Sequence, residues 1–259
     1  MAPNGLIYKE TVDRLKVEVY ADRRLMGTAA GEAVAAKMRE LLAAKPRIRM
    51  IFAAAPSQNE MLETLVRAEG IEWSRVTAFH MDEYIGLPED APQRFSRFLT
   101  DRLFSLVHPG EVHLIDGTAP PADECERYGR LIKEAPIDIV CLGVGENGHI
   151  AFNDPPVADF QDPAVIKPVE LDDVCRQQQV NDGCFASFGE VPTHALTLTI
   201  PALMSGTSLF CVVPGPTKRA AVKQMLTGPI SESCPASILR THADCTLYAD
   251  PDSYGKVPE

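Results

Sequence analysis

Short apolar runs alternate with longer amphipathic stretches along most of the 259-residue chain. Runs that are apolar at successive positions predict strands buried on both faces of a sheet, and apolar residues at every third or fourth position predict helices. The predicted strands are Arg47–Ala55, Val76–His80, Val112–Ile115, Ile137–Gly143, Ala195–Ile200, Ser208–Val213 and Thr246–Tyr248. The predicted helices are Arg23–Ala44, Met61–Ala68, Phe95–Val107, Tyr128–Lys133 and Thr217–Leu226.

This order of elements predicts a Rossmann-like α/β fold of three layers, with helices on both faces of a mostly parallel sheet. The chain length suits one domain that spans residues 1–259. Residues 155–190 are polar, rich in Asp and Gln and poorly periodic, so we expect loops there that form a lid over a site. Ligands of parallel sheets bind beyond the carboxyl ends of the strands, so we expect the reactive residues just after each strand.

Charge and composition narrow the classes of partner. The formal net charge is -11, which disfavours nucleic acid and anionic membranes, because both require a basic face. The N-terminus lacks a basic segment followed by an apolar core, and no apolar run approaches the roughly 18 residues of a membrane helix. We therefore expect a cytoplasmic protein with a small-molecule substrate and free cysteine thiols. The sequence leaves open whether the chain forms a homo-oligomer.

A glycine-rich turn follows the predicted strand Ile137–Gly143. Its glycines have the G-x-G-x-x-G spacing of the dinucleotide-binding fingerprint, at Gly143, Gly145 and Gly148. That fingerprint must open a helix, whereas Pro155 and Pro156 would end a helix here within two turns. We therefore expect the glycines to let the backbone approach a ligand closely and to present His149. A lone histidine is often structural, but this one follows a buried strand among polar side chains, which favours a functional role.

Two adjacent carboxylates, Asp82 and Glu83, follow the predicted strand Val76–His80. Such a pair is ordinarily part of a solvated loop. Here Met81 and Tyr84 flank it, so we expect at least one carboxylate to lie in a partly desolvated cleft that tunes its basicity. Moving a proton between adjacent carbons of a sugar requires a base of this kind.

Together these segments resemble the glucosamine-6-phosphate deaminase family, whose superfamily includes the 6-phosphogluconolactonases. The resemblance covers most of the chain, through Met81–Pro88, Gly143–Pro155, Val191–Leu203, Pro214–Lys218 and Ser233–His242. The stretch from His149 to Asp154 favours the deaminase branch, because lactonases typically have threonine, rather than Ile150, after the histidine.

The resemblance implies conversion of glucosamine 6-phosphate, or a close analogue, into fructose 6-phosphate and ammonia. His149 is expected to open the sugar ring and Asp82 to carry a proton between C2 and C1. Asn147 and Asp154 stand where the family has residues that orient the imidazole. No metal or organic cofactor is expected, because amides and side chains can stabilise charge on the substrate oxygens.

The expected phosphate loop departs from the family pattern. The family has two glycines and a Ser or Thr after the first buried strand, where amides bind phosphate, but this chain has neither glycine in Ala53–Glu60. Ser57 and Gln58 are the candidate contacts in this loop. The spacing of Ser57 and Glu60 equally fits a capping box, in which both side chains satisfy the amides of the helix itself.

The remaining candidate contacts are basic residues and residues of the two motifs. Lys218 matches the phosphate lysine of the family, whereas the family arginine aligns near Gly183, and Arg176 is the nearby candidate. The other expected substrate contacts are Glu83, Gly145 and Gly148. Three alternatives stay open: an isomerase or deaminase of a different sugar with altered phosphate recognition, a 6-phosphogluconolactonase-like hydrolase, and a non-catalytic sugar-phosphate sensor.

Overall fold

The computed structural model describes residues 5–256, and an eight-stranded sheet forms the centre of that part of the chain. Neighbouring strands run parallel, except for an antiparallel hairpin at one edge. In spatial order the strands are β1 (Leu6–Val12), β2 (Leu15–Tyr20), β11 (Cys245–Ala249), β10 (Ser208–Val213), β7 (Ile139–Leu142), β3 (Ile48–Phe52), β4 (Val76–His80) and β6 (Glu111–His113).

A second, antiparallel sheet begins just beyond the end of β4. Its strands, in spatial order, are β5 (Asp82–Tyr84), β9 (His194–Leu198) and β8 (Ile166–Glu170). The predicted strand Ala195–Ile200 therefore belongs to this small sheet and not to the parallel one. Because β5 starts two residues after β4 ends, this sheet holds the Asp82 segment at the edge where ligands are expected.

Helices cover both faces of the large sheet. They are α1 (Arg23–Ala44), α2 (Asn59–Arg67), α3 (Phe95–Leu99), α4 (Pro121–Lys133), α5 (Asp173–Asn181), α6 (Ile200–Met204), α7 (Arg219–Thr227) and α8 (Pro251–Tyr254). The helical path of α3 continues through a π-helical segment, Thr100–Phe104, and a last turn, Ser105–Val107. None of the helices described between residues 5 and 256 has the length and apolarity needed to cross a membrane.

The layered arrangement follows from alternation within the buried strands. Met50 and Phe52 of β3 pack in one core cluster with residues of α1 and α2, whereas Ile51 packs in a second cluster with residues of α4 and α7. Successive side chains of a strand point to opposite faces, so an all-apolar strand requires a helical layer on each side. The predicted three-layer α/β fold is confirmed.

The structure contains elements that the sequence pattern did not lead us to predict. The edge hairpin β1–β2 was not predicted, although Leu15–Tyr20 alternates apolar and polar residues as a half-buried strand does. Residues 155–190 were predicted to be loops, but they contain β8 and α5. The side chain of Asp172 starts α5 by accepting the N–H of Cys175 at 2.6 Å, which is an ordinary N-cap.

Candidate active site

A cavity of about 250 Å³ lies at the carboxyl ends of four neighbouring parallel strands. The segments that line it follow β3, β4, β7 and β10, and residues from the end of α5 onward close one side. Its volume lies slightly below the range of about 300–1,000 Å³ that is typical of small-molecule sites. The cavity therefore suits one small ligand at the position expected for a parallel sheet.

Asp82 lines this cavity from β5, and only 6% of its surface is exposed. Burial, reinforced by the neighbouring carboxylate of Glu83, raises the pKa of Asp82 well above its ordinary value. A carboxylate with a raised pKa is a stronger base once it has ionised. Asp82 thus has the exposure to a ligand and the basicity that transfer of a carbon-bound proton requires.

Glu83 lies outside the cavity lining and is fully buried. Its carboxylate accepts hydrogen bonds from the backbone N–H groups of Tyr84 at 3.0 Å, Phe95 at 3.0 Å and Ser96 at 2.9 Å. Burial raises the pKa of Glu83, although these hydrogen bonds oppose the change. The structure therefore places Glu83 where it ties β5 to the start of α3, not where it could contact a ligand of this cavity.

His149 lines the same cavity and is held by two neighbours. Its Nδ1 lies 2.8 Å from Oδ1 of Asp154, and its backbone N–H donates to Oδ1 of Asn147 at 3.0 Å. The side-chain amide of Asn147 also donates to Asp154 at 2.9 Å. Because Asp154 engages Nδ1, Nε2 is the ring nitrogen left to exchange a proton with a ligand.

Asp154 is ionised in this arrangement, although it is almost completely buried. Burial raises its pKa, but the His149 imidazole and the hydrogen bonds from His149, Asn147 and Cys175 outweigh this effect and lower the pKa. A negative carboxylate next to Nδ1 fixes the orientation of the imidazole ring. The structure thus brings together Asn147, His149 and Asp154 as one hydrogen-bonded unit.

The glycines of the turn allow close packing, and Gly145 leaves space for the imidazole of His149. A Cβ at Gly145 would collide with the ring of His149, and a Cβ at Gly148, whose φ is +85°, would lie 2.8 Å from Sγ of Cys234. The N–H of Gly145 donates to the carbonyl of His149, and the N–H of Gly148 donates to the carbonyl of Gly145, each at 3.0 Å. Gly145 lines the cavity and Gly148 does not, and the amides of both residues are used within the turn.

The loop after β3 contributes Ser57 to the cavity but not Gln58. Gln58 is fully buried, and its Nε2 donates to Oγ of Ser57 at 3.0 Å and to the carbonyl of Val212 at 3.2 Å. Gln58 therefore links the loop to β10 by hydrogen bonds and does not face the cavity. The capping-box interpretation is wrong, because no side chain caps the start of α2 and Glu60 pairs instead with Arg23 at 2.8 Å.

Lys218 reaches the cavity from the turn before α7. It is 6% exposed, and its Nζ has no hydrogen-bond partner among residues 5–256. Oδ2 of Asp182 lies 4.0 Å from this Nζ. Burial lowers the pKa of Lys218, and the carboxylates of Asp182 and Glu146 oppose this. The loops that precede α2 and α7 line the end of the cavity that contains Lys218. Helix N-termini favour an anion, so this end suits a negatively charged group.

Several cavity residues were missed by the sequence analysis. Arg23 lines the cavity from the start of α1, and the others come from or just after α5: Gln178, Gln179, Asp182 and Cys184. Gln178 accepts the N–H of Glu146 at 2.8 Å, and Gln179 accepts the hydroxyl of Tyr84 at 2.7 Å. Their positions depend on how α5 docks, which the polar pattern of the segment does not reveal.

Arg176 lies outside the cavity lining, although it belongs to the same helix. Its guanidinium donates to the carbonyls of Phe188 at 3.1 Å and Val191 at 3.0 Å. It also lies over the ring of Phe188, 4.1 Å from its centre. Arg176 therefore secures the chain that follows α5, and the structure does not bring it together with Lys218 at the cavity.

One cluster has the residue types of a metal site. Ligand atoms of His149, Asp154 and Cys175 lie within 4.8 Å of one another. Burial, followed by the Asp154 carboxylate, raises the pKa of the Cys175 thiol far above its ordinary value. His149 and Asp154 of this cluster already pair with each other at 2.8 Å, so we assign the cluster to the imidazole and its carboxylate partner.

The fold and this site define a class of sugar-phosphate enzymes. The family model described as glucosamine-6-phosphate isomerases/6-phosphogluconolactonase matches residues 21–248, and the chain belongs to this family. The glucosamine-6-phosphate deaminases of Bacillus thuringiensis (strain Al Hakam) and Bacillus anthracis (strain A0248) are each 35% identical to it over 195 residues, which is 75% of this chain and 72% of theirs. The resemblance seen in the sequence is confirmed.

Solved structures give the same family and fold. A monomeric glucosamine-6-phosphate deaminase is 29% identical with a TM-score of 0.84, and the match covers 92% of this chain and 98% of that one. The 6-phosphogluconolactonase of Thermotoga maritima is 22% identical with a TM-score of 0.75, covering 93% of this chain and 100% of that one. The second likeness supports the fold alone.

Proposed function

We propose that this chain catalyses the isomerisation and deamination of an amino-sugar phosphate, converting glucosamine 6-phosphate or a close analogue into fructose 6-phosphate and ammonia. The observation that carries the proposal is that Asp82 and the His149–Asp154 pair line one cavity of about 250 Å³. The names of the relatives at 35% identity agree with this chemistry.

The two groups have separate tasks in the proposed reaction. His149 relays a proton from the C1 hydroxyl to the ring oxygen and opens the sugar to its aldehyde form. Asp82 takes the proton from C2 and returns it to C1, while the oxygen on C1 gains a proton that the amine on C2 loses, so that an imine forms at C2. Water then adds to C2, ammonia leaves, and the ketose remains. We propose no metal or organic cofactor, because each step moves only protons and water.

The pattern around His149 favours deamination over lactone hydrolysis. The raised pKa of Asp82 suits removal of a carbon-bound proton, but a carboxylate of this kind could also activate the water that hydrolyses a lactone. Ile150, which follows His149, agrees with the deaminase pattern. A sugar-phosphate sensor would require neither the base nor the imidazole.

The proposal is tested by incubating the purified protein with glucosamine 6-phosphate and measuring ammonia and fructose 6-phosphate. The same protein is assayed with 6-phosphogluconolactone and with amino sugars that differ in phosphate and amine positions. Equal amounts of ammonia and ketose phosphate, abolished in an Asp82→Asn variant, support it. Lactone hydrolysis that persists in that variant, without release of ammonia from any amino sugar, contradicts it.

A further inference from the structure

At one end of the cavity, the carboxylate of Asp182 lies beside the buried ammonium group of Lys218. Oδ2 of Asp182 lies 4.0 Å from Nζ of Lys218, and Asp182 lines the cavity together with that lysine. Gln178 donates to the same oxygen of Asp182 at 3.3 Å. Asp182 is therefore held at the lysine, and its charge faces any anion that Lys218 attracts.

The other cation of this cavity is also neutralised. Arg23 lies at the lining, but its guanidinium is engaged by both carboxylate oxygens of Glu60, at 2.8 and 3.2 Å, and by the carbonyl of Pro56 at 2.6 Å. Each of these two cations thus has a carboxylate next to it. A phosphate group of charge near −2 would be attracted by the helix N-termini. The nearby side chains would add little attraction, because their charges sum to a value close to zero.

We propose that Asp182 is a specificity-determining residue that limits how tightly this end of the cavity holds a phosphate group. This inference rests on the proposed function and concerns the terminal group of the sugar. At a few ångströms, a like charge in a partly buried site opposes binding much more strongly than it would in bulk water. The parent protein therefore prefers a sugar with a 6-phosphate over one with a 6-hydroxyl. This preference is weaker than it would be if Lys218 acted without Asp182.

An Asp182→Asn variant tests the inference, because it removes the charge and retains the shape and an acceptor for Gln178. The matched control is Asp173→Asn, which removes the same charge from the start of α5 at a side chain that is 90% exposed. For each protein, KM and kcat are measured with glucosamine 6-phosphate and with glucosamine. The dissociation constant of inorganic phosphate is measured separately by titration calorimetry.

We expect Asp182→Asn to lower the KM for glucosamine 6-phosphate and the dissociation constant of inorganic phosphate at least tenfold. The KM for glucosamine should not fall, and Asp173→Asn should stay within twofold of the parent in every measurement. The inference is overturned if phosphate binds parent and Asp182→Asn equally, or binds neither measurably. If no amino sugar turns over, the proposed function fails, but the calorimetric comparison still decides the role of Asp182.

Discussion

At the scale of single residues, Asp82 lines the candidate active site but lies in an environment that is unfavourable for its charge. Burial and Glu83 raise its pKa, whereas in the unfolded chain it titrates near its ordinary value. Between these two pKa values the unfolded state releases its proton first, so the stability contributed by Asp82 decreases as the pH rises. At neutral pH this carboxylate therefore opposes folding while it serves the proposed reaction.

Replacing Asp82 with asparagine should consequently separate stability from activity. We expect kcat to fall by about 10³-fold or more, which is a loss of the size expected when a general base is removed. We expect the unfolding temperature at pH 8 to rise, by roughly 2–4 °C for each kcal/mol gained. Calorimetry of parent and variant between pH 4 and pH 8 measures the effect, and the gain should grow with pH. A variant that is less stable than the parent at pH 8 would contradict the raised pKa.

Gly145 tests whether the space beneath His149 matters for catalysis. A methyl group at this position would collide with the imidazole, so Gly145→Ala should displace the ring from its position over the turn. We expect kcat to fall about 100-fold, since a displacement near 1 Å can have that effect. The matched control is Gly189→Ala, because a Cβ there meets nothing within 4 Å. Comparable losses in both variants would show that the imidazole contact is not the cause.

At the scale of elements, α5 lies within residues 155–190, the segment predicted to form a lid, and lines the cavity with Gln178 and Gln179. The buried hydroxyl of Tyr84 donates to Oε1 of Gln179 at 2.7 Å, which joins β5 to α5. Tyr84→Phe leaves this buried acceptor without its donor, at a free-energy cost of about 1–3 kcal/mol. We therefore expect faster amide hydrogen exchange across Asp173–Asn181 and a lower kcat/KM.

Tyr128→Phe is the control for this prediction, because it removes the same hydroxyl from the core on the other face of the large sheet. The hydroxyl of Tyr128 donates to the carbonyl of His80 at 2.7 Å and does not contact α5. Exchange across Asp173–Asn181 should stay at the parent rate in this variant. If both variants accelerate exchange there equally, the hydroxyl of Tyr84 has no specific role in docking α5.

The sequence predicted those parts of the site that lie directly after buried strands. Asp82 and His149 were identifiable because an apolar run fixes where a strand ends, and a parallel sheet brings such ends to one edge. Arg23 and Asp182 could not be found in this way, since each reaches the cavity only through the docking of a helix. The same limit applies to Glu83, whose sequence neighbourhood matches that of Asp82 but whose carboxylate turns toward the start of α3.

At the scale of the whole molecule, the net charge of -11 opposes the approach of an anionic substrate. This repulsion acts over the Debye length, which decreases from about 30 Å at 0.01 M salt to about 10 Å at 0.1 M. Lys218 is buried, so salt screens its attraction for a bound phosphate much less than it screens the surface field. Long-range repulsion and local attraction should therefore respond differently to salt.

We accordingly expect kcat/KM for glucosamine 6-phosphate to increase as sodium chloride rises from 0.01 to 0.1 M, by about two- to fivefold, since electrostatic steering of association depends on ionic strength. Glucosamine, whose amine carries positive charge, should show the opposite trend and so serves as the control in the same protein. Steady-state assays at constant pH measure both. If kcat/KM for the phosphorylated sugar falls with salt, an attractive potential extends well beyond the cavity, and the charge of the whole molecule does not govern substrate approach.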